Sequence, residues 1–510
     1  MKRLFVCLFV VLQLVACDSV LDIEPEIKTT YTNYFKGEKD AAALLYELHA
    51  MFNDVLTEQD NIHEMVGLKV DVVDDPDIEM LRNLEPSVYE DELYMPSWRN
   101  FYSTIYRANV ILDNAYRFTE IDEERLEYYK RQACFVKGVC YFFIARMWGD
   151  APIVKNSTDA VIYLRSKVED VLAEAIRNAE IALDLPVFED LVNESGAKVM
   201  TKQFGSKGAA TALLAHIYAW RAGLSGDNED WKKAEQYCSD IIDQKAGYYE
   251  LAADPAAVCK DVMKGNSSEG IFEEEYYMPE DPFYRYAPYV ATSEMLGYPI
   301  VTGESFTTYE NMYLRINKTT VKEMYDVDDR RMDAYFYEID STVYHIGNYE
   351  LPCETAFLYK WNYPVEQYIE QVDMYFYKTQ NVNRIIWRLA DIMLLRAECR
   401  ARLGMNNAAD DLNEIRKRAY GDGKHGYTAA EGDLRYVIFK EREKELLYEG
   451  HRYYDVMRNG YWKTELPEEF SRMSEQEFRM GAQYYPINPN AFTDNDLMRQ
   501  NEYWLSKGIN

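Results

Sequence analysis

Histidine is scarce in this sequence, with six residues in 510. The chain also has no Cys-x-x-Cys pair, no Gly-x-Ser-x-Gly elbow and no phosphate-cradling glycine loop. Zinc sites and nucleophilic hydrolases need such residues at close, fixed spacing. His63-Glu64 begins like a zinc-protease helix, but Gly67 stands where the second histidine is required. The sequence therefore predicts no zinc site and gives little support for nucleophilic catalysis.

Basic residues are also in short supply, with 56 Lys and Arg against 87 Asp and Glu and a net charge of −31. An acidic surface repels phosphate backbones and anionic lipid headgroups, whereas neutral sugars are indifferent to it. Nucleic acid is therefore not an expected partner. Solubility alone also accounts for such a charge.

Long apolar runs are absent apart from Leu4–Leu14, which follows Lys2 and Arg3 and is too short to span a membrane. This arrangement is typical of a secretory signal. The run ends in Leu14-Val15-Ala16-Cys17, which resembles a bacterial lipobox. We expect residues 1–16 to be a signal peptide, Cys17 to be acylated in the outer membrane, and residues 17–38 to form a tether.

No Gly/Ser/Pro-rich linker divides the remaining chain, so residues 39–510 are expected to form one composite domain. Its cysteines show no zinc-type spacing, and several lie on predicted apolar helix faces. Buried thiols are therefore favoured over a disulfide framework. These cysteines are Cys134, Cys140, Cys238, Cys259, Cys353 and Cys399.

Helical periodicity dominates two parts of the chain, about 39–247 and 384–460, and these parts are expected to form a scaffold. Ser166-Lys167-Val168-Glu169 is typical of a capping box at one helix start. Short successive helices favour a mainly α fold of degenerate tetratricopeptide-like hairpins. The predicted helices are 40–54, 95–118, 123–148, 166–185, 206–223, 230–245, 387–403 and 406–419.

Between about 248 and 383 the periodicity gives way to Tyr- and Pro-rich sequence with short extended runs at 270–273 and 373–377. We interpret this part as a loop-rich binding subdomain with a few short strands, since long irregular segments in compact proteins often bind ligands. Residues 461–510 are expected to form an irregular C-terminal segment.

Six segments stand in a characteristic order along nearly the whole chain: Trp98–Asn109, Gln132–Pro152, Thr211–Ala215, Arg388–Glu398, Asp411–Ala419 and Glu441–Asp455. In that order they resemble the SusD/RagB family of outer-membrane nutrient-binding lipoproteins. The ending departs from the family, with Tyr485–Pro489 in place of Pro-Ile-Pro and Gln500–Tyr503 in place of a Gln-Asn-Pro-Gly-Tyr tail. This departure bears on terminal packing more than on function.

The resemblance implies a lipid-anchored protein on the cell exterior that is not an enzyme. It implies two partners, a glycan ligand bound through an aromatic surface and a SusC-like TonB-dependent transporter that receives it.

Aromatic residues are abundant, with 44 Tyr, 21 Phe and 8 Trp. A pyranose ring packs its C–H face on an aromatic plane while its hydroxyls bond to neighbouring polar groups. Two poorly helical stretches, 71–98 and 276–289, suit this chemistry, and family members place part of their ligand surface in a loop equivalent to the first. Core packing remains the alternative for each aromatic residue. The expected ligand-binding residues are Asp71, Asp74, Arg82, Tyr94, Trp98, Tyr284, Tyr286, Tyr289 and Trp361.

Two kinds of acidic cluster invite other interpretations. In Glu441–Asp455, helical spacing brings together acids and interleaved arginines, which favours a structural ion-pair lock over acid/base chemistry. The members of this cluster are Glu441, Arg442, Glu445, Glu449, Arg452 and Asp455. Asp326–Asp329 and Asp494–Asp496 carry oxygen ligands that calcium accepts, but neither is an EF-hand loop, and solvated turns are the alternative. We expect no other cofactor.

Two other functions stay open from the sequence. One is a tetratricopeptide adaptor that binds a protein or peptide at the cell surface. The other is a glycoside hydrolase, since 87 acids supply many carboxylate pairs by chance.

Overall fold

A row of packed helices forms the scaffold of the molecule. The computed structural model describes residues 35–58, 62–72, 76–90, 95–158, 161–275, 299–300, 314–341, 343–346, 349–352, 354–371 and 373–509. The helices are α1 Glu38–Glu58, α2 Ile62–Gly67, α3 Pro76–Arg82, α4 Arg99–Asp113, α5 Glu123–Trp148, α6 Val168–Ala182, α7 Lys207–Ser225, α8 Asn228–Ile242, α9 Pro255–Ala257, α10 Lys318–Met324, α11 Arg330–Tyr335, α12 Leu389–Arg402, α13 Asp410–Tyr420, α14 Leu434–Glu445, α15 Arg452–Asn459, α16 Trp462–Glu465, α17 Glu468–Arg472, α18 Glu475–Arg479 and α19 Glu502–Ser506.

Neighbours in the chain are neighbours in space along this row. Helix α4 packs on α1 and α5, and α5, α6, α7 and α8 pack successively on one another. Helix α8 then packs on α12, and α12 on α13 and α14, so the row continues across the loop-rich part. This arrangement confirms the predicted mainly α fold of degenerate tetratricopeptide-like hairpins.

Small residues allow the helices to approach closely. A Cβ at Gly138 of α5 would lie 3.3 Å from the carbonyl oxygen of Ala175 on α6. Helix α7 presents a buried stripe that includes Ala210, Leu213 and Ile217, as its spacing predicts. It starts at Ser206, whose hydroxyl accepts the Ala209 amide at 3.1 Å.

The capping box predicted at α6 is wrong. The carboxylate of Asp150 accepts the Val168 amide at 2.9 Å and thus caps this helix. Ser166 instead exchanges backbone hydrogen bonds with Ala151 at 2.9 and 3.0 Å. A residue distant in sequence outcompetes the local serine because the α5–α6 connection folds back on the start of α6.

The strands within the described ranges are short. They are β1 Asp71–Val72, β2 Gly270–Glu275, β3 Leu314–Asn317, β4 Phe336–Tyr337, β5 Val343–Ile346, β6 Tyr349–Pro352, β7 Thr355–Leu358, β8 Pro364–Ile369, β9 Met374–Gln380 and β10 Asn383–Arg388. Antiparallel pairing gives a four-stranded sheet in the order β1-β3-β7-β4 and two hairpins, β5–β6 and β8–β9.

Strands β2 and β10 pair with each other, and they are the strands by which the chain enters and leaves the loop-rich part. Both are largely buried, and β10 leads directly into α12. This two-stranded ribbon closes the base of the loop-rich part against the scaffold.

Thiols behave as small buried apolar groups in the part of the chain that the structure describes. Cys134, Cys140, Cys238 and Cys399 are buried, Cys259 is partly buried, and none of the five forms a disulfide. Burial raises the pKa of these thiols, which keeps them protonated. Cys353 lies outside the described residues. Within the described ranges, no helix combines the length and apolar character that a membrane crossing requires.

Candidate functional site

The first predicted ligand segment lies beside the four-stranded sheet. Strand β1 pairs with β3, with Asp71 opposite Arg315 and Val72 opposite Leu314. The guanidinium of Arg82 on α3 donates to the Leu68 carbonyl at 3.0 Å. The side chain of Asp71, and Asp74 and Tyr94 altogether, lie outside the described residues.

The two predicted tryptophans are core residues. Trp98 is 7% exposed and its ring centroid lies 6.0 Å from that of Trp148. Trp361 is 2% exposed, with the Lys360 ammonium 5.2 Å from its ring centroid. The expectation that these rings offer a face to a sugar is therefore wrong, because both rings are buried in the core.

The second predicted segment, with Tyr284, Tyr286 and Tyr289, lies outside the described residues, as does Cys17. Strand β2 ends at Glu275, and β3 pairs with β1.

An exposed tyrosine pair stands on the hairpin β8–β9, which follows β7 of the sheet. Tyr368 and Tyr375 lie opposite each other in the ladder, are 46% and 61% exposed, and have ring centroids 5.2 Å apart. The Tyr368 hydroxyl donates to the Asp373 carboxylate at 2.5 Å. Sequence reasoning found the strand at 373–377 but missed this pair, because the opposing strand carries no strong signal. We call Tyr368, Tyr375 and Asp373 the hairpin platform.

Beneath the loop-rich part, a buried row of glutamates ties it to the scaffold. The glutamate row consists of Glu441, Glu445 and Glu449, at the end of α14 and just beyond it. Arg388, at the end of β10, bonds Glu449 at 2.7 Å and Glu269 at 2.6 Å, and all three side chains are at most 2% exposed.

Two further cations reach the row from the loop-rich part. Arg331 of α11 lies 2.6 Å from Glu441 and 3.3 Å from Glu445, and Lys360 lies 2.5 Å from Glu449. Desolvation alone would raise the pKa of these acids, but the cations outweigh it and hold the pKa of Glu441 and of Glu449 at about 2.

The predicted lock is confirmed, and part of its pairing is the expected one. Arg442 bonds Asp455 of the predicted cluster and also Asp391, each at 2.8 Å, and faces away from the glutamate row. The glutamate row instead takes arginines from distant parts of the chain. Helical spacing could place the acids on one face but could not show which cations would meet them.

One acid with a raised pKa lies beneath the surface. Glu274 on β2 has a pKa well above its usual range because it is fully buried, and its carboxyl oxygens have no hydrogen-bond partner among the described residues. Its side chain has no exposed surface, so a sugar oxygen does not reach it in this structure.

Neither candidate metal cluster assembles a ligand set. Asp329 bonds Arg331 at 2.7 Å, and Asp326 accepts the Tyr420 hydroxyl at 2.7 Å. His63 stacks between Tyr453 and Tyr485, with centroids 4.2 and 3.7 Å away. Within the described ranges, no group of three or more His, Cys, Asp or Glu could hold a metal ion.

Two family models match this chain. The model described as the SusD family matches residues 284–504, and the model described as starch-binding associating with outer membrane matches residues 21–219. SusD-like protein P25 of Formosa agariphila is 23% identical over 505 residues, covering 90% of each chain.

Solved structures of similar fold cover nearly the whole chain. A SusD homolog from Bacteroides thetaiotaomicron superposes with a TM-score of 0.74 at 23% identity, covering 92% of this chain and 98% of its own. Surface glycan-binding protein A from Bacteroides fluxus superposes with a TM-score of 0.69 at 17% identity, covering 91% and 99%. Since the two family models together match most of its length, the chain belongs to the SusD/RagB family.

Proposed function

We propose that the protein is a surface lipoprotein that captures an oligosaccharide or polysaccharide and delivers it to a TonB-dependent outer-membrane transporter. The observation that carries the proposal is the exposed hairpin platform in a member of a family described as starch-binding. Two adjacent rings and a carboxylate match the mixed apolar and polar surface of a sugar.

Binding on this surface needs no covalent step. Stacking on the tyrosines supplies apolar contact, and Asp373 accepts hydrogen bonds from sugar hydroxyls. The glutamate row holds the loop-rich part against the scaffold, which limits the ordering cost on binding. Release into a transporter would give the process its direction.

Replacing both platform rings, as Tyr368→Ala with Tyr375→Ala, is expected to weaken binding to the recognised glycan about tenfold or more, or about 1.4 kcal/mol. The measurement is titration calorimetry against the hit from a panel of plant, microbial and host glycans. Tyr116→Ala is the matched control, because this scaffold tyrosine is 81% exposed and lies outside the loop-rich part.

Each outcome decides between functions. If the double variant bound the glycan with full affinity, the hairpin platform would not be part of the binding site. Binding of a peptide or purified transporter with no glycan bound would favour the tetratricopeptide adaptor. Release of reducing ends from a polysaccharide would show a hydrolase.

Lipid attachment is expected to depend on Cys17. In cells that express Cys17→Ala, the protein should no longer incorporate fatty-acid label and should no longer be found in the membrane fraction. The reason is that the lipobox cysteine carries the lipid. Cys7→Ala is the control, since Cys7 lies in the same expected signal segment. Equal labelling of the Cys17→Ala protein and its parent would contradict the assignment.

A further inference from the structure

A cavity of about 260 Å³ lies on the helical scaffold. The residues that line it are distant in sequence from the hairpin platform. Its walls come from three separate pieces of chain: α1, the first turns of α5, and the segment 191–204 between α6 and α7, which we call the strap. Tyr46, Tyr128 and Phe204 supply aromatic walls, and the rings of Tyr46 and Phe204 meet edge to face at 5.9 Å.

The cavity walls are held in place without a ligand. The Arg125 guanidinium bonds the Glu38 carboxylate at 2.6 Å and the Asn193 carbonyl at 3.3 Å, and it lies 4.6 Å from the Tyr128 ring centroid. The Asn193 side-chain oxygen accepts the Ala197 amide at 3.0 Å and so folds the strap on itself. A preformed cavity binds at a lower ordering cost.

Polar groups with unused bonding capacity line the same cavity. Glu194 accepts the Tyr46 hydroxyl through Oε2 at 2.6 Å, and its carboxylate also accepts its own backbone amide. The Asn193 amide nitrogen and the Lys198 ammonium bond no described residue. A carboxylate and two unengaged donors beside aromatic walls match the alternating hydroxyls and apolar face of a pyranose.

Apolar side chains are exposed to solvent at the mouth of the cavity. Met200 is 77% exposed and Tyr46 is 44% exposed, and both line the cavity. Covering such groups is favourable, at roughly 25 cal/mol per Å² of apolar surface removed from water. The mouth therefore gains from a ligand with an apolar face.

Both α1 and the strap connect the cavity to strand β2. On α1, Tyr46 lines the cavity, and Asn53 donates to the carbonyl of Glu275, the last residue of β2, at 2.7 Å. Asn53 follows Tyr46 by seven positions on α1, which is a rise of about 10 Å along the helix axis. The strap also reaches β2, because the Lys202 carbonyl accepts the Glu273 amide at 3.2 Å.

We propose that this cavity is a second carbohydrate subsite, which binds one neutral pyranose unit of the glycan and so rests on the proposed function. Glu194 and Lys198 balance each other at the rim, and the net charge of −31 opposes anionic sugars.

The test uses methyl pyranosides of glucose, galactose, mannose and N-acetylglucosamine, observed by saturation-transfer NMR. At least one should bind. Its affinity should fall roughly fivefold or more, about 1 kcal/mol, in Tyr46→Ala and in Glu194→Gln. It should be unchanged in Tyr106→Ala, a control tyrosine on α4 that is 49% exposed, and in the double platform variant.

Glu194→Gln keeps the shape of the side chain, so it tests the subsite even where Tyr46→Ala unfolds the protein. Equal pyranoside affinity in Glu194→Gln and its parent would overturn the subsite. Binding of a polysaccharide but of no methyl pyranoside would overturn it too, while leaving the proposed function intact. Binding of neither would overturn both.

Discussion

Replacing Arg388 with methionine is expected to lower the free energy of unfolding by roughly 3–5 kcal/mol. The substitution removes one of the two cations that pair with each of the buried acids Glu269 and Glu449, and leaves Arg418 and Lys360 as their remaining partners. Removing a cation from a buried carboxylate is costly because the protein interior cannot solvate the uncompensated charge. Urea denaturation followed by circular dichroism measures the change.

The matched control is Arg435→Met at the start of the neighbouring helix α14. Its ion pair with Asp433 is about half exposed on both sides, so we expect a change below about 0.5 kcal/mol. An Arg388→Met protein that is too unstable to isolate would agree with the expectation. Arg388→Lys would then be measured in its place, and it should show a smaller decrease in the free energy of unfolding. An Arg388→Met variant as stable as the Arg435→Met control would show that the lock contributes little.

Acid is expected to destabilise the protein steeply between about pH 4.5 and pH 2. Glu441 and Glu449 have a pKa of about 2 in the folded protein, while the unfolded chain takes up protons near pH 4.3. The unfolded state therefore binds more protons in this window, and stability falls as pH falls. Each ionised carboxylate contributes on the order of 3 kcal/mol to the free energy of unfolding, and this contribution is complete above about pH 4.5.

Urea denaturation from pH 2 to pH 7 checks this dependence. Glu441→Gln should be less stable than the parent at pH 7 and should lose less stability on acidification, because the substituted group no longer titrates. Glu468→Gln, at an exposed pair with Arg472, should follow the parent curve. Parallel curves for Glu441→Gln and the parent would mean that Glu441 is not held ionised by the lock.

Much of the helical scaffold could be predicted because local pattern determines it. The predicted helix at 123–148 coincides with α5, and that at 206–223 lies within two residues of α7. The predicted strands at 270–273 and 373–377 overlap β2 and β9. Apolar spacing is a property of neighbouring residues, so it is visible without the fold.

The candidate site was less predictable because exposure is not a local property. Trp98 and Trp361 have the right chemistry for sugar stacking, yet other elements cover them. Tyr368 and Tyr375 form a platform because a hairpin register sets them opposite each other. The cavity needs α1, α5 and the strap, which are far apart in the chain.

The sequence by itself determined the helical scaffold, the acidic surface and the one glutamate face of α14, because each follows from composition or from spacing within a few residues. Only the tertiary structure decided which arginines meet those glutamates and which aromatic rings stay in solvent. Ion pairing and burial depend on groups brought together from distant parts of the chain, such as Arg388 and Glu449. Long-range packing therefore decides which of the 44 tyrosines are free to touch a ligand.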